Sequence, residues 1–236
     1  MQTGFDFGRS DLDRWRGLMQ PLVDQMDSLP RRKPVGQLVK SLISGRTRDA
    51  VSLGAYRRLG ARYRSAAELA DAEPATVETI IADVTFAGAK AEWLVSALCE
   101  IRRTHSDFDL DFLREPPLAT ALGWLERLPG VGRKVAASTL NASLLARPVL
   151  IVDTHVLRVL RRLRFVDARA EARDASEAVT AAMPGWDADD FLRFHVMTKR
   201  LGQIICHEIE PDCAHCPLSG ECPSAGNIQG QDRSRF

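Results

Sequence analysis

The chain of 236 residues has little of several features that mark whole classes of protein. Aromatic residues make up only 6% of it and the formal net charge is +1 at pH 7, so composition alone does not indicate a nucleic-acid binder. No apolar run approaches the ~20 residues that cross a bilayer, and no secretory signal is apparent. We therefore expect a cytoplasmic protein with no membrane partner. Patterns typical of β-strands are nearly absent, apart from one short run over residues 148–152.

Helical patterns cover most of the chain instead, because apolar residues recur at spacings of three and four. The sequence therefore predicts an all-α fold. In a first helix predicted over 11–28, we expect Trp15 and Leu18 to be buried and Pro21 to kink or split the helix. Further helices are predicted over 153–165, 171–183 and 187–206.

A Leu-Pro-Gly-Val-Gly-Arg-Lys segment at 128–134 has the composition of a tight hairpin between two helices. Pro129 disfavours helical geometry in the residue before it, which ends the first helix. Gly130 and Gly132 permit the turn and leave backbone N–H groups unshielded. A second helix is predicted to begin near Arg133, and exposed N–H groups at a helix start favour binding of an anion such as a DNA phosphate.

Two residues at and after this hairpin carry groups that could take part in catalysis. Lys134 lies in the first turn of the predicted helix, where the helix dipole should lower its pKa and make it a candidate amine nucleophile. Asp153, in the Val-Asp-Thr-His segment at 152–155, precedes an apolar run. Each residue also has an ordinary interpretation: a solvated lysine, and an aspartate that caps the N-terminus of a helix.

Near the end of the sequence, four cysteines follow a C-x6-C-x2-C-x5-C pattern, formed by Cys206, Cys213, Cys216 and Cys222. Four thiolates in one short loop can surround a soft metal centre, and both zinc and an iron–sulfur cluster accept such a ligand set. The spacing does not decide between these two centres. Two disulfides are less favoured, because no secretory signal is apparent and Cys99 would remain unpaired.

Taken together, the hairpin, the aspartate segment and the cysteine spacing resemble the helix-hairpin-helix DNA glycosylases, and most closely the endonuclease III branch. The resemblance runs from about Pro34 to Cys222. It implies two helical domains with DNA bound in a cleft between them. The barrel-like helix-hairpin-helix domain would be 34–146, and the iron–sulfur cluster domain would combine 9–33 with 147–225, leaving 226–236 as a tail.

The resemblance also implies a reaction and roles for individual residues. A damaged base, most simply a pyrimidine, would be flipped from double-stranded DNA and removed, and the abasic site would be cleaved by β-elimination. Lys134 would form the Schiff base and Asp153 would be the catalytic carboxylate. The four cysteines would hold a 4Fe-4S cluster, with zinc as the alternative. The protein is expected to act as a monomer, and its DNA contacts would include Arg46, Arg48, Gly130, Gly132, Arg133 and His155.

Three departures from the family pattern lie where the lesion or the DNA would be contacted. Arg46 occupies the place of a glutamine that usually fills the gap left by the flipped base. Thr85 occupies the place of a glycine in a turn. Glu208, Glu210 and Asp212 make the first part of the cysteine loop acidic, although this loop is usually basic and approaches a phosphate. These differences predict the family's chemistry on an altered substrate.

Two other functions remain open at this point. The first is a monofunctional glycosylase for mismatched or deaminated bases, in which Lys134 only contacts phosphate. The second is a non-catalytic protein that binds damaged DNA. An intact Lys134 and Asp153 favour the bifunctional enzyme over both.

Overall fold

The computed structural model describes residues 9–23, 31–105 and 107–225, and divides the chain into two compact units. One unit combines Met1–Leu29 with Pro148–Phe236, and the other is Pro30–Arg147. The predicted tail, 226–236, lies outside the described residues. Those described contain no β-strand, which confirms the predicted all-α class, and no helix among them is long and apolar enough to cross a membrane. The helices are α1 (Arg9–Met19), α2 (Pro34–Ser44), α3 (Asp49–Arg62), α4 (Ala66–Ala70), α5 (Pro74–Ile80), α6 (Ala87–Thr104), α7 (Leu118–Glu126), α8 (Arg133–Asn141), α9 (Thr154–Arg162), α10 (Ala172–Ala182) and α11 (Ala188–Ile204).

In the unit Pro30–Arg147, α2 packs against α3, α6 and α8. Pro34 begins α2, a position where the missing N–H costs no intrahelical hydrogen bond. The apolar core of this unit includes fully buried leucine and isoleucine side chains from α2, α6 and α8, among them Leu38, Ile43, Leu98 and Leu140. Burial of this kind is the main driving force for folding of the unit.

A buried network of side-chain hydrogen bonds connects α2 and α8. The Gln37 side-chain amide donates to the hydroxyls of Ser41 and Ser138, at 3.0 and 2.9 Å, and Ser41 donates to Ser138 at 2.9 Å. Buried polar groups are costly when unpaired, so this network favours one relative position of the two helices. Because Lys134 lies on α8, the network helps to place that residue.

The other unit is built around α11, which packs against α9 and α1. Its core contains the buried aromatic side chains of Trp15, Trp186, Phe191 and Phe194. Asp187 caps α11 by accepting hydrogen bonds from the N–H groups of the second and third helical residues.

In the run with strand-like sequence, 148–152, the last four residues are buried, and the run has no strand partner among the described residues. Instead, side chains satisfy its backbone: Leu150 N–H donates to Thr180 Oγ1 at 3.1 Å, and Ser176 Oγ donates to the Leu150 carbonyl at 2.8 Å. The His195 ring contacts the Ile151 carbonyl oxygen through Nδ1 at 2.8 Å. These contacts satisfy the hydrogen-bonding groups of the buried backbone. Asp153 directly follows this run in the sequence.

The first helix differs from its prediction in length and in its buried face. α1 ends at Met19 and a 3-10 turn follows over Gln20–Leu22, so the α-helix stops just before Pro21, where a kink or a split was predicted. The predicted continuation over 24–28 lies outside the described residues. Leu18 is exposed, because the buried stripe is Leu12, Trp15 and Met19 instead.

Candidate functional site

The hairpin between α7 and α8 has the geometry that its glycines predict. Gly130 has a φ of +72°, and an added Cβ there would lie 2.6 Å from the Cβ of Trp93, so both the backbone angle and the packing require glycine. Val131 is buried and anchors the turn, while Gly132 is exposed and is the N-cap of α8. The N-terminus of α8 therefore begins at an exposed hairpin, as a phosphate contact would require.

Lys134 is half-buried in the first turn of α8, and its Nζ donates to Ser44 Oγ at 2.7 Å. Ser44 is the last residue of α2, and its own hydroxyl donates to the Ser41 carbonyl at 2.8 Å. No sequence pattern marks Ser44 as part of the site, because serines are common at helix ends.

Arg133, expected to contact DNA, is instead packed against the protein. Its guanidinium Nε lies 2.6 Å from Glu126 Oε1, and its side chain is 8% exposed. A guanidinium paired in this way is poorly placed to meet a phosphate. A DNA contact by Arg133 therefore stays a prediction that the geometry does not favour.

The loop after α2 presents Arg46 to solvent in a left-handed conformation, with a φ of 52°. This conformation is uncommon for a residue other than glycine and must be held by its surroundings. Arg48, also predicted to contact DNA, is exposed at the start of α3. Close to this loop, Phe86 has a φ of 60° and is 58% exposed, although the sequence analysis did not single it out.

Asp153 is the N-cap of α9, because its Oδ1 accepts hydrogen bonds from the N–H groups of His155 and Val156 at 3.0 and 2.9 Å. Burial raises the pKa of the Asp153 carboxyl, while the electrostatic interaction with His195 and the hydrogen bond from Val156 lower it. Lys199 and His155 act in the same direction, and the pKa lies below the usual aspartate value. Asp153 is therefore a carboxylate at neutral pH, and both capping bonds use only one of its oxygens.

His155, a further predicted DNA contact, is half-buried between α9 and α11. Its Nδ1 lies 3.1 Å from a guanidinium nitrogen of Arg158, and an added Cβ at Gly202 would lie 2.8 Å from its Cβ. The structure thus shows a packing role for His155, and its contact with DNA stays a prediction.

The four C-terminal cysteines line one cavity whose volume, together with the adjoining solvent space, is about 290 Å³. Cys206, Cys216 and Cys222 also pack against the core around α11. Burial in the first place, and then the proximity of the other three thiols, raises the pKa of Cys216 to about 11. Burial likewise raises the pKa of the Cys213 and Cys222 thiols. These three thiols would keep their protons at neutral pH unless a cationic centre displaced them.

Arg162, from the last turn of α9, crosses to the cysteine loop. Its guanidinium donates to Cys206 Sγ at 3.1 Å and to the backbone carbonyls of His207 and Glu208 at 2.5 and 2.9 Å. In return, the Arg162 carbonyl accepts from Cys222 Sγ at 3.6 Å. The loop is thus attached at both ends to one helix.

The cysteine spacing left two metal centres open, zinc and an iron–sulfur cluster. A single zinc ion requires its ligands about 2.0–2.3 Å from one point. Within residues 9–23, 31–105 and 107–225, no three His, Cys, Asp or Glu side chains are grouped closely enough to hold one ion.

A family model for HhH-GPD superfamily base excision DNA repair proteins matches residues 39–184, which is more than half of the chain. The chain belongs to the HhH-GPD superfamily. The matched residues include the hairpin, Lys134 and Asp153, so the predicted family is confirmed on two of the three segments that indicated it. The cysteine loop lies outside the matched residues.

Similar proteins within the HhH-GPD superfamily are endonuclease III and its homologues. Endonuclease III of Thermotoga maritima is 31% identical over 189 residues, covering 80% of this chain and 82% of that protein. Endonuclease III homolog 1, chloroplastic, of Arabidopsis thaliana is 27% identical over 202 residues, covering 83% of this chain, and the chain spans half (50%) of that protein's length.

The structure of an endonuclease III trapped as a covalent intermediate with DNA has a TM-score of 0.77 to this chain at 22% identity. The superposition covers 97% of this chain and 100% of that one. The chain therefore shares the endonuclease III fold over nearly its entire length.

Proposed function

We propose that this protein is a base-excision DNA glycosylase with abasic-site lyase activity, acting on double-stranded DNA that contains a damaged base. One observation carries the proposal. In a chain of this family, Lys134 directly follows the glycine hairpin, and its Nζ is held 2.7 Å from the Ser44 hydroxyl. A positioned amine of this kind is what Schiff-base chemistry requires.

In the proposed reaction, the damaged nucleotide leaves the base stack, because its glycosidic bond is out of reach inside a duplex. As the bond from C1′ to the base breaks, its electron pair leaves with the base and positive charge develops on the deoxyribose. The Asp153 carboxylate stabilises that charge. Its lowered pKa supports this role, because it keeps the group ionised throughout the neutral range.

The neutral Lys134 amine attacks C1′ with its electron pair and loses a proton, while the departing base takes one up. Opening of the sugar ring gives a Schiff base between Nζ and C1′. Its positive charge makes a hydrogen on C2′ acidic, and removal of that proton expels the 3′ phosphate and cleaves the strand. Lys134 and Asp153 act on the same deoxyribose in this proposal, as the resemblance implies.

A 4Fe-4S cluster is the cofactor that the cysteine loop fits best, and Cys206, Cys213, Cys216 and Cys222 would hold it. The cluster would supply a covalent cross-link for a loop that has little core of its own. Arg162 supports this assignment, because its cation donates to Cys206 Sγ and would offset the charge of the bound thiolates. A brown protein with iron and inorganic sulfide in equal amounts is the expected result of purification, whereas zinc alone would contradict the assignment.

Borohydride trapping tests the proposed activity directly. Wild-type protein and a Lys134→Ala variant are incubated with a duplex carrying an abasic site, and with duplexes carrying oxidised pyrimidines, uracil or mismatches. We expect a covalent complex with the wild-type protein and none with the variant. Base release without trapping would make the protein a monofunctional glycosylase, and binding without any reaction would leave only recognition of damaged DNA.

A further inference from the structure

Lys90, near the start of α6, is a buried lysine that the proposed reaction does not use. Its side chain is 4% exposed, and its Nζ donates to the carbonyls of Ile43 and Gly45 at 3.0 and 2.5 Å, and to Thr47 Oγ1 at 3.2 Å. An ammonium group has three donors, so these contacts use all of them. Burying a cation is costly unless it is fully hydrogen-bonded, and here all of its partners come from one five-residue segment, 43–47.

This segment contains Ser44 and Arg46, both of which bear on the proposed reaction. Lys90 holds the carbonyls on either side of Ser44, whose hydroxyl accepts from Lys134 Nζ. It also binds Thr47, so its contacts bracket Arg46, which has a φ of 52°. One buried cation therefore restrains the backbone that carries both residues.

Thr85 strengthens the same attachment from the turn before α6. Its backbone N–H donates to Thr47 Oγ1 at 3.2 Å, and the Thr47 hydroxyl in turn donates to the Gly45 carbonyl at 3.3 Å. The start of α6 and the preceding turn thus hold the segment 43–47 through Lys90 and Thr85. Thr85, which stands where the family pattern has a glycine, takes part in that attachment, although it does so through its backbone N–H.

We propose that Lys90 is a positioning residue for the lyase reaction: it fixes the 43–47 backbone and thereby places the Ser44 hydroxyl that orients the Nζ of Lys134. The inference rests on the proposed function, in which Lys134 is the nucleophile. A misplacement of about 1 Å in a reacting group can cost about 100-fold in rate. A residue that sets the position of the acceptor of Nζ therefore affects the rate of attack more than it affects binding of DNA.

Burial lowers the pKa of Lys90 to about 8, because desolvation disfavours the charged form. The hydrogen bonds that Nζ donates account for a cation at this place despite that cost. A plain structural role would also bury this charge. A positioning residue and a merely structural residue differ in one respect: only the first acts on the reaction by way of Ser44. A double-mutant cycle measures this coupling.

The test measures the single-turnover rate of borohydride trapping on an abasic duplex, at saturating protein, in Lys90→Met, Ser44→Ala and the double variant. We expect a decrease of about 10- to 100-fold in Lys90→Met, with a dissociation constant for the same duplex that changes far less. We also expect the double variant to be no slower than the slower of the two single variants. Losses that multiply in the double variant would show that Lys90 does not act through Ser44, and would overturn the inference.

Asn141→Leu is the matched control, because Asn141 is also a fully buried polar residue of this unit, but its side chain donates to the Arg147 carbonyl at 3.1 Å, outside the 43–47 segment. It should lower the free energy of unfolding while leaving the trapping rate near the wild-type value. Thr47→Val, which removes one acceptor of Lys90 and keeps the side-chain size, serves if Lys90→Met does not fold, and should give a smaller decrease in rate.

The outcomes separate this inference from the function on which it rests. If the wild-type protein is not trapped, the proposed lyase activity fails and the inference fails with it. If the wild-type protein is trapped and Lys90→Met is trapped at the same rate, only the inference is overturned. A decrease in Asn141→Leu equal to that in Lys90→Met would assign the effect to stability, and would also overturn it.

Discussion

Asp153 combines two roles that place different demands on one side chain. As the N-cap of α9, it needs only an oxygen that accepts from the N–H groups of His155 and Val156. As the carboxylate of the proposed reaction, it needs a negative charge as well. Asparagine satisfies the first demand and not the second, since Asn and Asp are comparably good N-caps.

Asp153→Asn should therefore separate capping from catalysis. We expect the free energy of unfolding to change by no more than about 1 kcal/mol, and the single-turnover rate of base excision to fall by at least about 100-fold. Urea unfolding and base release measure the two quantities. Asp153→Ala is the control that loses both roles, and a fully active Asp153→Asn variant would contradict the proposed part of the carboxylate.

Lys90 should also make the stability of the protein depend on pH in the alkaline range. Its pKa is lowered from 10.5 to about 8 in the folded protein, so between these values the unfolded chain binds more protons. Stability from this group therefore rises as pH increases through that window, by up to about 2–3 kcal/mol. The unfolding free energy of the wild-type protein should rise relative to that of Lys90→Met over this range, whereas parallel curves would contradict the lowered pKa.

At the scale of single elements, the hairpin contains two glycines with different requirements. Gly130 has a positive φ and its Cα faces Trp93 at a distance that leaves no room for a side chain. Gly132 has a φ of −96° as the N-cap of α8, and nothing lies within 4 Å of a Cβ added there. The same sequence pattern, Gly-x-Gly, therefore serves packing at one position and exposure at the other.

Gly130→Ala should lower the free energy of unfolding by about 1–3 kcal/mol because of the strained backbone, with a further loss from the Trp93 contact. Gly132→Ala should cost no more than about 1 kcal/mol. Thermal unfolding of both variants checks the difference. An equal decrease in the free energy of unfolding at the two positions would mean that the turn can accommodate an added methyl group. Glycine would then not be required at Gly130.

The run at 148–152 shows which features of an element a local sequence pattern can predict and which it cannot. Its apolar sequence predicted a β-like conformation; residues 149–152 are buried, but the run forms no strand. No sequence pattern indicated that side chains from α10 and α11, and not a neighbouring strand, would satisfy its N–H and carbonyl groups. Long-range partners of this kind depend on tertiary packing.

At the scale of the whole molecule, the chain forms two compact units, and the cysteine loop belongs to the one built around α11. Arg158 and Arg162 of α9 attach this loop by hydrogen bonds to its backbone. A cluster bound by the four cysteines would therefore stabilise that unit in particular, since metal binding adds to folding free energy where the ligands are held.

Loss of the proposed cluster should destabilise some parts of the chain more than others. In Cys222→Ser, or after oxidative removal of the cluster, we expect faster amide hydrogen exchange in α9, α11 and the loop 205–225. Residues 31–105 and 107–147 should change little. Exchange measured by mass spectrometry on the intact protein gives both regions at once, and a uniform increase across the chain would contradict a local role for the cluster.

The sequence by itself determined the all-α class, the place of the hairpin, and the family, because each depends on short patterns: a period near 3.6, glycines with a helix break, and cysteine spacing. Tertiary structure alone decided which polar groups meet. It paired Arg133 with Glu126, placed the Ser44 hydroxyl on Lys134 and directed Lys90 onto the 43–47 backbone. The reason is physical: a hydrogen bond between residues distant in sequence forms only where packing brings donor and acceptor within about 3 Å, and the spacing of residues along a chain does not encode that distance.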